Sequence, residues 1–338
     1  MITTFELPAG LAAAAPPPTR AGVRLLVASR SGIEHARFND LGLFLSPGDL
    51  VVVNTSGTLA AAVDGTRRRD QQTVTVHFAT ALDDGNWVVE LRPEHNATGP
   101  LPDSRIGDVI MLPGNLPIVL TGPYPDGQLR LWRASIEVAV DMLAHLARHG
   151  RPIRYGYVPK PYPLTDYQTV FAREPGSAEM PSAGRPFTTE LVTELVTRGI
   201  AIAPITLHTG VSSQEVGEPP QPERYLVPAT TARAVNLTRG WGGRVVGVGT
   251  TVTRALESAA DRTGVVHERS GWTELVLGPQ RPALVVSGLI TGWHPPGTSH
   301  LELLEAVAGA ELVERAYHEA VRTRYLWHEF GDSCLLLP

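Results

Sequence analysis

The stretch from Arg244 to Ala260, R-V-V-G-V-G-T-T-V-T-R-A-L-E-S-A-A, decides the fold class of this chain. Its first five residues form a mostly apolar run of strand length, and from Val252 onward apolar residues recur at helical spacing. A buried strand that leads directly into a helix is the repeating unit of α/β proteins. We therefore expect a layered sheet with helices on its faces.

A glycine and two hydroxyls, at Gly249, Thr250 and Thr251, stand where this strand meets the helix. Free backbone amides at a helix N-terminus can bind a carboxylate or a phosphate, but a tight turn with a threonine cap explains the same residues equally well. Val252 occupies the third-glycine position of a dinucleotide-binding fingerprint, and no Walker loop is present. A ligand site and a plain turn both remain open.

The alternation of strands and helices extends outward from this stretch. Upstream, Thr188 caps a predicted helix that runs to Arg198, and the apolar run from Ile200 to Leu207 predicts a buried strand that ends at His208. Further predicted strands cover residues 224–227, 273–277, 283–287 and 333–337, and further helices cover residues 229–239, 299–308 and 311–322.

The first half of the chain has a different texture. A hairpin is predicted from Gly22 to Phe38 and a buried strand from Asp49 to Asn54. Short strands then follow at 73–79, 87–91, 109–112, 118–121 and 128–132, which predicts a small β-barrel, and a helix at 136–148 closes it. We predict a discontinuous α/β domain of residues 1–58 and 150–338, interrupted by a barrel domain of residues 59–149. The three arginines at 67–69 are predicted to form a solvated turn.

Composition limits the class of protein. With 338 residues, 43% of them hydrophobic, the chain can bury a large core. Its single cysteine, Cys334, excludes an internal disulfide and is expected to be buried. We find no signal peptide, no membrane-length apolar stretch and no metal-ligand spacing, so we expect a cytoplasmic monomer without a metal. The net charge of −5 argues against nonspecific polyanion binding, although a local basic patch can still bind nucleic acid.

Two neighbouring segments are candidates for ligand contact. Residues Tyr167 to Thr188, Y-Q-T-V-F-A-R-E-P-G-S-A-E-M-P-S-A-G-R-P-F-T, are dense in turn residues, which is typical of a ligand-lining loop. The segment from Arg151 to Tyr167 holds four prolines, four tyrosines and three basic residues. Its tyrosines, with Arg154 or Lys160, can stack on a nucleotide, or they can pack within a stiff connection.

Three side chains are candidates for acid–base chemistry. His208 and His294 each follow an apolar run, and Glu257 lies beyond the turn at Thr250 and Thr251. Such positions near strand ends suit a general base or acid, but each histidine also has a structural interpretation.

Five ordered blocks resemble the QueA family, the S-adenosylmethionine:tRNA ribosyltransferase-isomerases of queuosine biosynthesis. They are Y-Q-T-V-F-A-R-E-P-G-S at 167–177, T-L-H-T-G at 206–210, G-V-G-T-T-V-T-R-A-L-E-S at 247–258, L-I-T-G-W-H-P-P at 289–296 and F-G-D-S at 330–333. The resemblance implies a β-barrel inserted into an α/β domain. It also implies that S-adenosylmethionine is a substrate, with no separate cofactor, and that its ribosyl part is transferred to the aminomethyl group of a deazaguanine base in tRNA. The transferred group rearranges to an epoxycyclopentane, and proton abstraction beside the sulfonium requires a general base.

The resemblance also implies site residues. His208, Glu257 and His294 are the catalytic candidates. The substrate-binding candidates are Tyr167, Gln168, Ser182, Ala183, Gly184, Phe187, Gly210, Thr250, Thr251 and Arg254.

Five motifs depart from the usual family pattern. The usual N-D-T-R is N-T-S-G at 54–57, T-A-G-L-H-F-T is S-A-G-R-P-F-T at 182–188, and H-V-G-x-G-T-F is H-T-G-V-S-S at 208–213. The lysine after His-x-Pro is Gly297, and of an M-H-S-E element only Glu223 remains. The tRNA reaction is the main hypothesis. The alternatives are a QueA-like enzyme that uses S-adenosylmethionine without tRNA, with a small-molecule acceptor or by cyclisation or cleavage, and a non-catalytic ligand- or RNA-binding paralogue.

Overall fold

The structure is a computed structural model that describes residues 3–93, 99–211 and 220–338. Its strands, in chain order, are β1 (Arg24–Ser29), β2 (Gly32–Arg37), β3 (Leu50–Asn54), β4 (Ser56–Thr58), β5 (Ala62–Arg67), β6 (Gln72–Ala81), β7 (Trp87–Pro93), β8 (Val109–Leu112), β9 (Leu116–Tyr124), β10 (Leu131–Ser135), β11 (Glu174–Ser177), β12 (Ala201–Leu207), β13 (Glu223–Val227), β14 (Val245–Val248), β15 (Arg269–Thr273), β16 (Gly288–Thr291) and β17 (Ser333–Leu337). The helices are α1 (Met142–His149), α2 (Thr189–Thr197), α3 (Ala229–Gly240), α4 (Thr250–Ala259), α5 (Ser299–Ala308) and α6 (Ala310–Arg322).

A nine-stranded sheet organises most of the fold, in the order β15-β13-β12-β3-β14-β16-β17-β1-β2. Its centre, from β12 to β16, is parallel. Central β3 is buried along its whole length, as its run of valines predicts. Val51 and Val53 pack with α2 on one face, whereas Leu50 and Val52 pack with α3 and α4 on the other. Helices therefore cover both faces of the sheet, which confirms the predicted layered α/β class.

Strands β5 to β10 close into a six-stranded barrel in the order β10-β7-β6-β5-β8-β9. Apolar side chains such as Val76, Phe78 and Ile118 fill its interior and are fully buried. The barrel confirms the inserted β architecture, and β5 is a strand that the sequence pattern did not reveal. The domain boundaries at residues 58/59 and 149/150 stay a prediction.

Several local predictions are confirmed. The hairpin is β1 paired antiparallel with β2, and the final strand is β17. Thr188 caps α2, because its side chain accepts a hydrogen bond from the Leu191 amide at 3.2 Å. Cys334 is fully buried.

Other local predictions are wrong. The helix expected from residue 136 begins only at Met142, where Asp141 caps its first turn. Arg67 is not in a solvated turn but is buried, and it forms ion pairs with Asp70 and Asp103. The strands expected at 273–277 and 283–287 are displaced to β15 and β16. The amides of residues 284–286 donate to the Glu257 carboxylate instead of to a neighbouring strand.

Candidate active site

A cavity of about 380 Å³ opens where β14 and β16 end. Gly249 follows β14 directly, and Thr291 is the last residue of β16; both line the cavity. The remaining walls come from residues 153–157, 178–183, 209–211, 220–223 and 292–303, and from 328–329. Ligands of open α/β sheets bind at the carboxyl ends of parallel strands, so this position is the expected one.

The N-terminus of α4 forms one wall. Gly249, its N-cap, has φ +91°, and a Cβ built on it would lie 3.3 Å from the Cβ of Ala183. No side chain caps this helix, so its first-turn amides, at Thr250 and Thr251, remain available to a ligand. The Asn54 amide donates to the Thr251 hydroxyl at 3.4 Å and joins this turn to the end of β3. The small residues Gly249 and Ala183 thus let two loops of the cavity approach each other closely.

Arg254 lies one helical turn further along α4 and is buried. Its guanidinium forms an ion pair with Glu223 and donates to the carbonyls of Leu275, Gln221 and Thr273. Burial raises the pKa of Glu223 although Arg254 and the Gly210 amide favour its charged form. Arg254 therefore holds Glu223 and the neighbouring segments against the cavity.

Three imidazoles line the cavity, at His294, His300 and His328. The rings of His294 and His300 stack with centroids 4.5 Å apart, and His294 Nε2 lies 3.1 Å from the Thr291 hydroxyl oxygen. Burial, followed by the two other histidines, holds the pKa of His294 well below its usual value. Burial also lowers the pKa of His300 to about 4. All three imidazoles are consequently neutral at pH 7, because burial lowers the pKa of His328 as well.

His208 is not at the cavity wall, although Thr209 and Gly210 after it are. Its Nδ1 lies 2.7 Å from the Ser56 hydroxyl oxygen, which lies 2.6 Å from the hydroxyl oxygen of Ser177. Burial lowers the pKa of His208. This hydrogen-bonded chain ties β12, β4 and β11 together, which is a structural role.

Other expected site residues also lie away from the cavity. Glu257 is buried, and its carboxylate accepts from the amides of residues 284–286, so it has no oxygen facing a substrate. Phe187 packs in the core against Phe38 and Phe171. The Gln168 amide pairs with the backbone of Thr58 at 2.9 and 2.7 Å. Gly184 is buried beside Thr169, and it does not line the cavity either.

The expected residues that do meet at the cavity come from four separate segments. Tyr167, Ser182 and Ala183 line it from the long loop, and Gly210 lines it after β12. From the strand ends come Thr250, Thr251, Arg254 and His294. Of the H-T-G-V-S-S departure, Ser212 and Ser213 lie outside the described residues.

A second set of polar groups in the cavity joins tyrosines of the candidate segment at 151–167 to partners that sequence reasoning missed, Glu179, His328 and Glu329. Tyr155 and Tyr157 come from the proline-rich connection, and their hydroxyls donate to Glu179 and Glu329 respectively. The ring of Tyr157 stacks on His328 at 4.1 Å and 12°. The cluster of tyrosines at 151–167 was the only signal of this wall, because its acidic partners lie far away in the sequence.

The sheet carries a cavity at its parallel strand ends and a barrel is inserted into the chain before that sheet is complete, so the molecule is an α/β protein with a cavity where such sheets usually bind ligands. Residues 3–336 match the family model described as queuosine biosynthesis protein. The chain belongs to this family.

Relatives and a solved structure agree with the family model over the full length. The chain is 36% identical over 351 residues to the S-adenosylmethionine:tRNA ribosyltransferase-isomerase of Symbiobacterium thermophilum, covering 98% of each chain. It is 34% identical to the protein of the same name from Thermotoga maritima, again with 98% coverage of each. The crystal structure of S-adenosylmethionine tRNA ribosyltransferase from Thermotoga maritima superposes with a TM-score of 0.56 at 29% identity, covering 99% of both chains.

Within the described residues, no helix is long and apolar enough to cross a membrane. In the same residues, no group of three or more histidine, cysteine, aspartate or glutamate side chains is arranged to hold a metal ion.

Proposed function

We propose that this chain is an S-adenosylmethionine:tRNA ribosyltransferase-isomerase. It transfers the ribosyl part of S-adenosylmethionine to a 7-aminomethyl-7-deazaguanine base in tRNA and isomerises it to the epoxide of epoxyqueuosine. Full-length similarity to relatives of that name supports the proposal. The observation that carries it is that four of the five resembling sequence blocks supply residues to one cavity: Tyr167, Gly210, the turn at Gly249 to Arg254, and Thr291 to Pro295.

The charges of the cavity suit S-adenosylmethionine. The free amides at the start of α4 are a site for the carboxylate of its methionine part. Of the described residues that line the cavity, three are glutamates, Glu179, Glu223 and Glu329, and one, Arg254, is an arginine. With the imidazoles neutral, the wall is acidic, and an acidic wall stabilises a ligand that carries a sulfonium and an ammonium.

His294 is the general base in this proposal. It lines the cavity, whereas His208 and Glu257 do not. Its lowered pKa keeps the imidazole unprotonated and able to accept a proton at pH 7. The Thr291 hydroxyl, 3.1 Å from Nε2, fixes the orientation of the ring.

Incubation of the purified protein with S-adenosylmethionine tests the proposal, with and without tRNA that carries the 7-aminomethyl-7-deazaguanine base. We expect adenine and methionine to appear only with that tRNA, and the modified base to gain the mass of the transferred group. Release of adenine and methionine at the same rate without tRNA would contradict the tRNA reaction.

The second candidate is a QueA-like enzyme that uses S-adenosylmethionine with a small-molecule acceptor or by cyclisation or cleavage. The positions of the departures favour it, because Ser182 and Thr209 line the cavity itself. Turnover without tRNA would support this candidate. Binding of S-adenosylmethionine by calorimetry, without any product in either assay, would support a non-catalytic paralogue.

A further inference from the structure

The part of the cavity lined by Tyr155, Tyr157 and Glu179 also contains the carboxylate of Glu329, which has no cation in contact. Glu329 accepts a hydrogen bond from the Tyr157 hydroxyl at 2.6 Å. Among the described residues, no arginine, lysine or histidine nitrogen lies within 4.0 Å of its carboxylate. Arg185 favours the charged form of Glu329 from a greater distance, but a partly buried carboxylate with no cation in contact is costly to keep, and such groups are concentrated at functional sites.

A second polar group in the same cavity also lacks a partner. The side chain of Tyr167 is only 4% exposed, and its hydroxyl has no hydrogen-bond partner in the described chain. Burial raises the pKa of this tyrosine, and Glu329 is the charged neighbour that raises it most. A buried hydroxyl left without a partner costs about 1–3 kcal/mol unless a ligand satisfies it. Tyr167 and Glu329 therefore both point to a polar ligand group at this wall.

We propose that Glu329, Tyr157 and Tyr167 form a binding site for a primary ammonium group, and that this ammonium is the aminomethyl arm of the acceptor base. This assignment rests on the proposed ribosyl transfer. A primary ammonium has three N–H donors, and a carboxylate oxygen with two phenol oxygens supplies three acceptors. A sulfonium has no N–H bond and cannot use these acceptors.

Two features favour the acceptor over the amino-acid end of S-adenosylmethionine. Glu223 forms an ion pair with Arg254 of α4, so the helix that is assigned the carboxylate of S-adenosylmethionine also holds a carboxylate for its ammonium. Glu329, in contrast, directly follows His328, whose ring stacks on Tyr157 and lines the cavity. A flat aromatic surface next to a carboxylate matches a planar base that carries a short cationic arm.

The site also supplies a proton acceptor. As the acceptor reacts, an N–H bond of the ammonium breaks and an O–H bond forms on the Glu329 carboxylate. The nitrogen thereby regains the lone pair with which it forms a bond to a carbon of the ribosyl group, and adenine and methionine are the groups released over the whole transfer. Burial, followed by the charge of Glu179, raises the pKa of Glu329 and makes it a stronger base. The titratable and charged groups that face it are Tyr157, Tyr167, Glu179, Arg185 and His328.

Calorimetry with two free bases tests this site without requiring turnover. The probes are 7-aminomethyl-7-deazaguanine and 7-ethyl-7-deazaguanine, which differ only in replacing the ammonium by a methyl group. We expect the natural protein to bind the aminomethyl base at least 10-fold more tightly, and Glu329→Gln to remove this preference. Tyr157→Phe should reduce it in part, because the carboxylate loses the hydroxyl that orients it.

Affinity for S-adenosylmethionine is the comparison, and in Glu329→Gln it should fall by a smaller factor than the affinity for the aminomethyl base, because Glu179 and Glu223 remain on the wall. The preference for the aminomethyl base should grow as pH rises through the pKa of Glu329, and this dependence should be absent in the variant. An unchanged preference in Glu329→Gln, no binding of either base to the natural protein, or an equal loss of S-adenosylmethionine affinity would overturn the assignment.

The ammonium site and the tRNA reaction can be contradicted independently of each other. If the natural protein does not modify tRNA but still prefers the aminomethyl base through Glu329, the ammonium site stands and the tRNA reaction does not. If tRNA is modified and Glu329→Gln keeps the preference, the reaction stands and this site is wrong.

Discussion

Glu90, on strand β7 of the barrel, is fully buried and Glu329, in the cavity, is partly buried, and the surroundings of the two carboxylates differ. Glu90 accepts from Arg92 at 2.7 Å and from Arg130 at 2.8 Å. Although burial acts to raise it, the neighbouring His77, Arg92 and Arg130 hold the pKa of Glu90 down at about 2. The pKa of Glu329 is raised instead. The ion pairs of Glu90 with Arg92 and Arg130 stabilise the fold, whereas Glu329, with no cation in contact, is a candidate for binding a cationic ligand group.

The largest effect on stability is expected from Glu90→Gln. The change removes the carboxylate from the buried ion pairs that Glu90 forms with Arg92 and Arg130, and breaking a buried pair typically costs about 3–5 kcal/mol. Urea unfolding at pH 7 measures the loss. The control is Glu194→Gln, which breaks an exposed pair with Arg198 and should cost less than about 0.5 kcal/mol.

The stabilisation from Glu90 should also depend on pH. Its pKa is lower in the folded protein than in the unfolded chain, so its contribution is present above about pH 4.5 and is lost as pH falls toward 2. If Glu90→Gln unfolds at the same urea concentration as the natural protein, the ion pairs of Glu90 with Arg92 and Arg130 do not stabilise the fold, and the contrast with Glu329 is wrong.

The next largest effect is on activity, in His294→Gln. Removal of the proposed base should lower kcat about 10²- to 10⁴-fold without unfolding the protein. His208→Gln is the matched control, since His208 is a half-buried histidine with a lowered pKa that lies outside the cavity. It should lower kcat less than 10-fold and reduce stability by about 1 kcal/mol through its bond to Ser56. The reverse pattern would make His208 the base.

Gly249→Ala should have an intermediate effect on substrate binding. Its φ of +91° and the Cβ of Ala183 at 3.3 Å both oppose a side chain there. We expect about 1–2 kcal/mol of destabilisation and about a 10-fold weaker affinity for S-adenosylmethionine by calorimetry.

Gly242→Ala separates the two parts of this prediction. Gly242 also has a positive φ, of +78°, but nothing lies within 4 Å of a Cβ built on it and it does not line the cavity. Its substitution should destabilise to a similar extent and leave the affinity unchanged. Equal loss of affinity in both variants would mean that the α4 turn has no special part in binding.

The sheet could be predicted because its signals are local. The run Leu50 to Asn54 predicts a buried strand, and a glycine followed by two threonines after Val248 predicts the start of α4. The strand predictions failed where a hydrogen-bond partner distant in the sequence determines the local structure. Residues 283–287 have strand composition, but Glu257 takes their amides, and the strand begins only at Gly288.

The candidate site was predictable only where its residues follow strand ends. His294 and Thr250 do so, and both line the cavity. Glu179 and Glu329 lie 150 residues apart, and each accepts a hydrogen bond from a tyrosine of another segment. No spacing in the sequence therefore predicts that the two glutamates line one cavity. Glu257 and His208 resemble catalytic residues in sequence because buried hydrogen-bonding groups need the same side-chain types as catalysis does.

The smallest effect, Glu329→Gln measured by thermal unfolding, tests whether this carboxylate lowers stability. Its pKa is raised in the folded protein, so the stability of the natural chain declines as pH rises from the unfolded value, about 4.3, through the folded one. Glutamine can still accept from Tyr157 but carries no charge. The variant should therefore unfold about 2 °C higher at pH 8 and at the same temperature as the natural protein below pH 4. A lower unfolding temperature at pH 8 would place Glu329 with Glu90, as a charge that the fold requires.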